Sequence, residues 1–333
     1  MTQYASLRRN CSKMNILRWL LSTQLKLSQK QNKNSGFTLI ELLVAMLIAF
    51  LVITPLLGFM IGVLNTDRQE QAKANSEQEI KAALDYIARD LQQALYIYDD
   101  TGIAAINSQI PTVTNGVPIL VFWKRELTKD ALETKNGGTV LFRDDSFVYS
   151  LVAYYLIKDT NSNWSQAARI ARWQIKDGVL NTTGRTDCPG FTTEKYSLCP
   201  DKGFKQFDLS DKGKTLQEKM NSWTNSLGTG GTYNQSPVVL VDFIDQTTTG
   251  APGAVCSTGF RQIPASITRT GFYTCVNSVG TDNRSTVEVY LRGNAQARLI
   301  ENDETKIRYT QSKASYFPSA NIKVQGRSFI FNK

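Results

Sequence analysis

From Phe37 to Leu64 the chain is an apolar run with a single ionisable residue, Glu41. About 28 residues at roughly 1.5 Å each make about 42 Å of helix, more than the roughly 30 Å hydrocarbon core of a bilayer, so residues 37–64 can span a membrane. Beyond Leu64 the chain turns polar as far as Glu79. Ile80, Leu84, Ile87, Leu91, Leu95 and Tyr98 then recur at helical spacing, with Lys81, Asp85, Arg89, Asp90 and Gln92 between them. The pattern predicts one helix from Phe37 to about Tyr98, roughly 90 Å long. Residues 65–100 form its amphipathic continuation, laid against a sheet. Pro55, Gly58 and Gly62 fall inside the span and predict a bending point, because proline removes a backbone donor and clashes with the preceding turn.

From Thr101 the period changes. Val117 to Trp123, Phe147 to Ile157, Ile170 to Ile175, Pro237 to Ile244, Thr286 to Arg292 and Asn321 to Gln325 read as strands. Turn signals at Asn136-Gly137-Gly138, Asp177-Gly178 and Gly228-Thr229-Gly230-Gly231 separate them. One long helix followed by antiparallel strands predicts an α+β fold, with the sheet domain over residues 101–333. Within it, residues 181–236 form a polar, Gly- and Asn-rich insertion, long enough to be a functional surface loop or partly disordered.

The formal charge of +9 over 333 residues suggests nucleic acid until it is located. Arg8, Arg9, Lys13, Arg18, Lys26, Lys30 and Lys33 precede Gly36 with no acid among them, which leaves 38 − 7 = 31 basic against 29 acidic residues, or +2. Nucleic-acid binding is therefore rejected. The same basic stretch holds its side of the span in the cytoplasm and predicts a single-pass protein whose C-terminal domain faces outward. Residues 1–36 read as a leader, in which Met14 is an alternative start to Met1. Ile16, Leu17, Trp19, Leu20, Leu21, Leu25 and Leu27 could form a short surface helix there.

Cys11 lies in the leader, and Cys188, Cys199, Cys256 and Cys275 form an even set in the outward domain, where oxidation is permitted. Three connectivities are possible; short loops close most readily, which favours Cys188 with Cys199 and Cys256 with Cys275. The chain has no histidine, so Ser-His-Asp and Cys-His catalysis and histidine metal sites are excluded. No phosphate-binding glycine loop or nucleophile elbow appears. The pairs Asp99-Asp100 and Asp144-Asp145 read as solvated loop carboxylates rather than a glycosidase pair. Asp159-Thr160-Asn161-Ser162-Asn163 imitates a calcium loop, but Trp164 and Ile170 stand where glycine and the bidentate acid are required. Trp123, Tyr149, Tyr154, Tyr155, Trp164 and Trp173 cluster in the strand region, either as sheet core or as rings for stacking on sugars and partners. No enzyme, cofactor or metal is expected.

A carboxylate inside an apolar span is costly and asks for a partner. A cut between Gly36 and Phe37 would create an α-amino group four residues before Glu41, and Glu41 of one copy would then pair with that amine on a neighbour. A conventional secretory signal is cut after its apolar region, whereas here the small residue precedes it, so a cut there retains the helix. Gly36, Phe37, Thr38, Leu39, Ile40, Glu41 and Leu42 behind a basic leader resemble the cleavage and methylation motif of the type IV pilin superfamily. The run Tyr86 to Ala94 resembles large minor pilins and pseudopilins. Ile40 to Met46 together with Phe50 to Phe59 is similar to the cyanobacterial hormogonium polysaccharide secretion pseudopilins of the C type.

The resemblance implies cleavage after Gly36 and N-methylation of Phe37 by a prepilin peptidase, and packing of residues 37–64 in a filament core. It also implies partnership with other pilins or pseudopilins and with an inner-membrane assembly platform. A low-copy minor subunit supporting polysaccharide secretion and gliding motility follows from the same resemblance. A minor type IV pilin or general secretion pseudopilin acting as initiator or tip adhesin is the alternative.

Overall fold

A computed structural model describes residues 36–136, 139–185, 187–191, 193–266, 268–278, 285–300 and 303–326. Most of the leader, with Cys11, Met14 and the expected surface helix, lies outside the described residues, as do Gly137 and Gly138 of the expected turn. The chain divides into two units, Met1–Leu64 and Asn65–Lys333.

In the first unit the described structure is the N-terminal part of helix α1, which runs Leu39–Leu91 without a break through Pro55, Gly58 and Gly62. Every large apolar side chain from Phe37 to Leu64 is at least 46% exposed. A helix that is apolar all round and touches nothing is a membrane span or a core element awaiting partners.

In the second unit the same helix buries one stripe: Ala72, Ser76, Ile80, Ala83, Leu84, Ile87, Ala88, Asp90 and Leu91. The helix ends at Leu91, seven residues before the end its periodicity predicts. Leu95 and Tyr98 keep helical spacing, but Ala94–Ile97 is strand β1, paired antiparallel with β2 (Gly116–Asn136). A run of aromatic and β-branched residues there pairs with Phe122 and Trp123, and this tertiary pairing overrides the local spacing.

Strands β3 (Thr139–Ile157), β4 (Ala168–Lys176) and β7 (Val238–Ile244) complete a five-stranded antiparallel sheet in the order β1-β2-β3-β4-β7. A second sheet has the order β11-β10-β9-β8, from β8 (Arg261–Ile263), β9 (Phe272–Asn277), β10 (Thr286–Arg292) and β11 (Ser319–Gln325). A two-stranded ribbon of β5 (Val179–Arg185) and β6 (Tyr196–Leu198) packs on the outer part of β2, where the Asn181 side-chain amide donates to the Glu133 carbonyl at 3.0 Å and Val179 meets Ala131 and Val148. The architecture is α+β, a long helix packed on antiparallel sheet. Ile80, Leu84, Ile87 and Leu91 share one core with Trp123, Leu151, Trp173, Val276 and Val289.

β2 and β3 are much longer than the apolar pattern predicts. The outer half of β2 is mostly polar, and in that of β3 Arg143 to Ser146 separate Val140-Leu141-Phe142 from Phe147-Val148, so neither carries a sustained apolar alternation and cross-strand pairing defines them. A bulge between Thr128 and Leu132 places Asp130 at φ 53°. The polar segment 181–236 is tied to the core instead of standing off as a loop. Trp123 meets Phe204, Phe207 and Trp223 edge-on at 5.9, 5.2 and 5.6 Å. Trp223 and Met220, the latter in helix α3 (Leu216–Asn221), are buried. Disulfides join Cys188 to Cys199 and Cys256 to Cys275, with Cα separations of 5.4 and 5.6 Å. The first staples the 181–236 segment to itself, and the second ties the loop before β8 to β9.

Candidate functional site

Gly36 and Phe37 precede the first turn of α1, and Thr38 caps it. The Thr38 carbonyl accepts from the amides of Glu41 and Leu42, both at 3.1 Å, and its Oγ1 accepts from the Glu41 amide at 3.3 Å. Thr38 and Glu41 thus stand at the N-cap and third positions, the spacing of a capping box. That Thr-x-x-Glu pattern is legible in the sequence and defines the helix start independently of any processing motif. Glu41 sits in the first turn, where the helix dipole favours an anion. Phe37 is 78% exposed, Leu39 91% and Ile40 69%.

Farther along, Pro55 withholds the amide that would bond the Leu51 carbonyl. Beside it the hydroxyl of Thr54, the residue before Pro55, donates to the Phe50 carbonyl at 2.8 Å, the kind of local adjustment that lets a span tolerate proline. A Cβ added at Gly58 or Gly62 would meet nothing, so packing within the chain does not demand these glycines.

Residues 31–57 match the prokaryotic N-terminal methylation motif. No curated protein and no solved structure matches the chain. The matched stretch covers the end of the leader, Gly36, Phe37, Glu41 and the span as far as Leu57. It is a type IV pilin-like signature, which implies processing by prepilin peptidase, assembly with other pilins and a structural subunit rather than an enzyme. Among the described residues one helix is long and apolar enough to cross a membrane, and with the motif it fits a single-pass membrane anchor for this pilin-like chain.

The other candidates resolve in the second unit. Of the aromatic cluster, Trp123, Tyr154, Tyr155 and Trp173 are buried, and only Trp164 is substantially exposed. Asp99 is the N-cap of helix α2 (Asp100–Ile106), accepting from the Gly102 amide at 2.8 Å, and Asp100 pairs with Arg261 at 2.7 Å. Asp145 accepts the Asp130 amide at 3.0 Å across the β2–β3 hairpin. Asp159 makes a two-pronged pair with Arg169, both contacts 2.6 Å. Among the described residues no cluster of three or more Cys, Asp or Glu is poised for a metal.

The periodicity places Asp90 among the solvated polar positions; the structure buries it. Asp90 accepts from Lys124 at 2.8 Å, from the Tyr154 hydroxyl at 2.8 Å and from Arg172 at 2.7 Å. Lys124 also pairs with Glu126 at 2.6 Å. Burial alone would raise the Asp90 carboxyl, but Arg172 and Lys124 outweigh it and hold the group below its ordinary value. The same contest, with Lys124 and Lys176 as partners, keeps Glu126 low. This cluster keys the last turn of α1 to the sheet.

Proposed function

We propose that this chain is a minor pilin or pseudopilin, made as a membrane precursor, cut after Gly36, methylated on Phe37 and built into a type IV pilus-like filament. One observation carries the reading: the methylation motif opens the span 37–64, whose large apolar side chains are all exposed and whose single ionisable residue is Glu41. Residues 37–64 would pack in the filament core, where lipid and neighbouring helices cover them. Glu41 would neutralise the terminal amine of an adjacent subunit, since each charge alone in that environment costs several kcal/mol and together they offset one another.

Seven basic residues and no acid before Gly36 support a cytoplasmic N-terminus, and two disulfides support a periplasmic C-terminal domain. The mature length supports a low-copy initiating or tip subunit. The finer reading, polysaccharide export in support of gliding, rests on the sequence resemblance over about residues 14–105.

The test is the intact mass and N-terminus of the membrane-extracted protein from cells with and without prepilin peptidase. A chain beginning at N-methylated Phe37 only when the peptidase is present is expected. An uncut chain, or one cut after Leu64, overturns the proposal. Gly36→Val should leave the precursor uncut, whereas Glu41→Gln should leave it cut but absent from filaments.

A further inference from the structure

The edge of β2 that faces away from β3 is covered in two places. β1 pairs with it up to Lys124, and the Gln93 carbonyl accepts the Arg125 amide at 3.3 Å. Farther out, at Glu133, the β5–β6 ribbon takes over: the Glu133 amide donates to Ser197 Oγ at 3.4 Å, and its carbonyl accepts from Asn181. Between these two places the period of two that turns Val121 and Arg125 towards β1 turns Leu127 the same way. Among the described residues no hydrogen bond meets the Leu127 amide or carbonyl on that edge. Leu127 is 47% exposed and its cross-strand partner Phe147 is 55% exposed. An open edge beside exposed apolar side chains is a pairing site that folded proteins cover.

The register of the sheets points one segment of the chain at this edge. Gly293 lies against Ile80, and Ile244 bridges Gly293 and pairs with Ala168, whereas Arg172 meets Asp90. β4 therefore runs in the direction of α1, and β2 runs the same way, since both are antiparallel to β3. β11 does so too. The Pro318 carbonyl before it accepts the Gly293 amide at 2.9 Å, and Gly326 after it lies against the start of β1, where a Cβ would stand 2.7 Å from the Ala94 carbonyl oxygen. Ala94 pairs with Lys124, so Gly326 is level with Lys124 and the chain beyond it is aimed along the uncovered stretch of β2. Residues 327–333 follow, with Phe329-Ile330-Phe331 at their centre, a strand-forming run. At roughly 3.3 Å per residue they reach about 23 Å, well past Leu127.

We propose that residues 327–333 pair parallel with β2 beyond Arg125 in the same copy, in the lane that β1 leaves, with Phe329 and Phe331 over Leu127 and Phe147. Strand alternation puts the two rings on one face and Ile330 on the other. Leu127 and Phe147 offer an apolar surface, whereas Glu126 and Thr128 on the opposite face of β2 are polar, so the rings take the first face. The segment is tethered at Gly326, which makes the contact intramolecular, and a short strand then suffices. The proposal stands apart from processing and from the filament.

Amide hydrogen exchange of the full chain in detergent, read by mass spectrometry, is compared with that of a chain ending at Gly326. Loss of residues 327–333 should speed exchange of the Leu127 amide at least tenfold and leave Val152 and Tyr154 in β3 unchanged. Equal exchange at Leu127 in the two chains would overturn the proposal. Cross-linking tests the contact with the segment in place, in the full chain carrying Cys11→Ser, Leu127→Cys and Phe329→Cys. Oxidation should close a disulfide within the monomer at least tenfold faster than in a control pairing Leu127→Cys with Ser312→Cys, an exposed site beside the start of β11. No preference over the control would overturn the proposal. Cross-linked dimers in place of the monomeric disulfide would give the segment to a second copy and overturn it equally.

Discussion

Asp90→Ala is the sharpest probe of how the helix is held on the sheet. The carboxylate is 8% exposed, Lys124 is 7% exposed and Arg172 16%. Removing Asp90 leaves Lys124 with Glu126, but Arg172 keeps only neutral Gln174, and the Tyr154 hydroxyl loses its acceptor. Breaking a buried ion pair from one side costs about 3–5 kcal/mol, because the remaining charge stays desolvated. At about 2–4 °C per kcal/mol for a domain of this size, the melting temperature should fall by about 6–20 °C.

Thermal unfolding of the full chain in detergent, followed by near-ultraviolet circular dichroism, reads the second unit directly, since Trp123 and Trp173 lie in its core. Arg172→Met in the Asp90→Ala background should cost less than the sum of the single changes, with a coupling of about 1 kcal/mol or more. A loss below about 1 kcal/mol for Asp90→Ala, or additivity within about 0.5 kcal/mol, would show that the cluster behaves as an exposed pair and refute the argument.

The same cluster sets an acid limit. Asp90 and Glu126 titrate below their ordinary values of 3.8 and 4.5, so their contribution is complete above those values and lost as pH falls through the depressed folded-state values. Melting temperature should be flat near neutrality and drop below about pH 4, and the drop should shrink in Asp90→Asn. Breaking each disulfide should cost about 3 kcal/mol, with the Cys256–Cys275 loop, sequence separation 19, worth about 0.5 kcal/mol more than Cys188–Cys199, separation 11, on chain entropy alone. Urea unfolding of the two paired alanine variants measures the difference. At Gly271 a Cβ would lie 2.0 Å from the Asp245 carbonyl oxygen, so Gly271→Ala should cost about 1–3 kcal/mol or more. Gly253→Ala, which meets nothing, should stay within about 0.5 kcal/mol in the same assay.

The span, the processing motif and the helix stripe from Ile80 to Leu91 were legible in the chain because each is local. An apolar run, a Thr-x-x-Glu start and a 3.6-residue period need no distant partner to be recognised. The core strands Ile170 to Ile175, Pro237 to Ile244 and Thr286 to Arg292 were legible for the same reason, since burial of one face or both writes itself into the residue pattern. Short loop closure likewise pointed to the near-neighbour cysteine pairs.

What the tertiary structure decided is everything that depends on who lies opposite. Leu95 and Tyr98 continue a helical spacing, yet they leave the helix because Phe122 and Trp123 offer β1 a partner. The outer hairpin carries no sustained apolar alternation, so its cross-strand register reveals it. Asp90 reads as a surface residue beside Arg89 until Lys124 and Arg172, 34 and 82 positions away, converge on it. Charge and aromatic residues carry no mark of burial in sequence; their environment is made by residues remote in the chain.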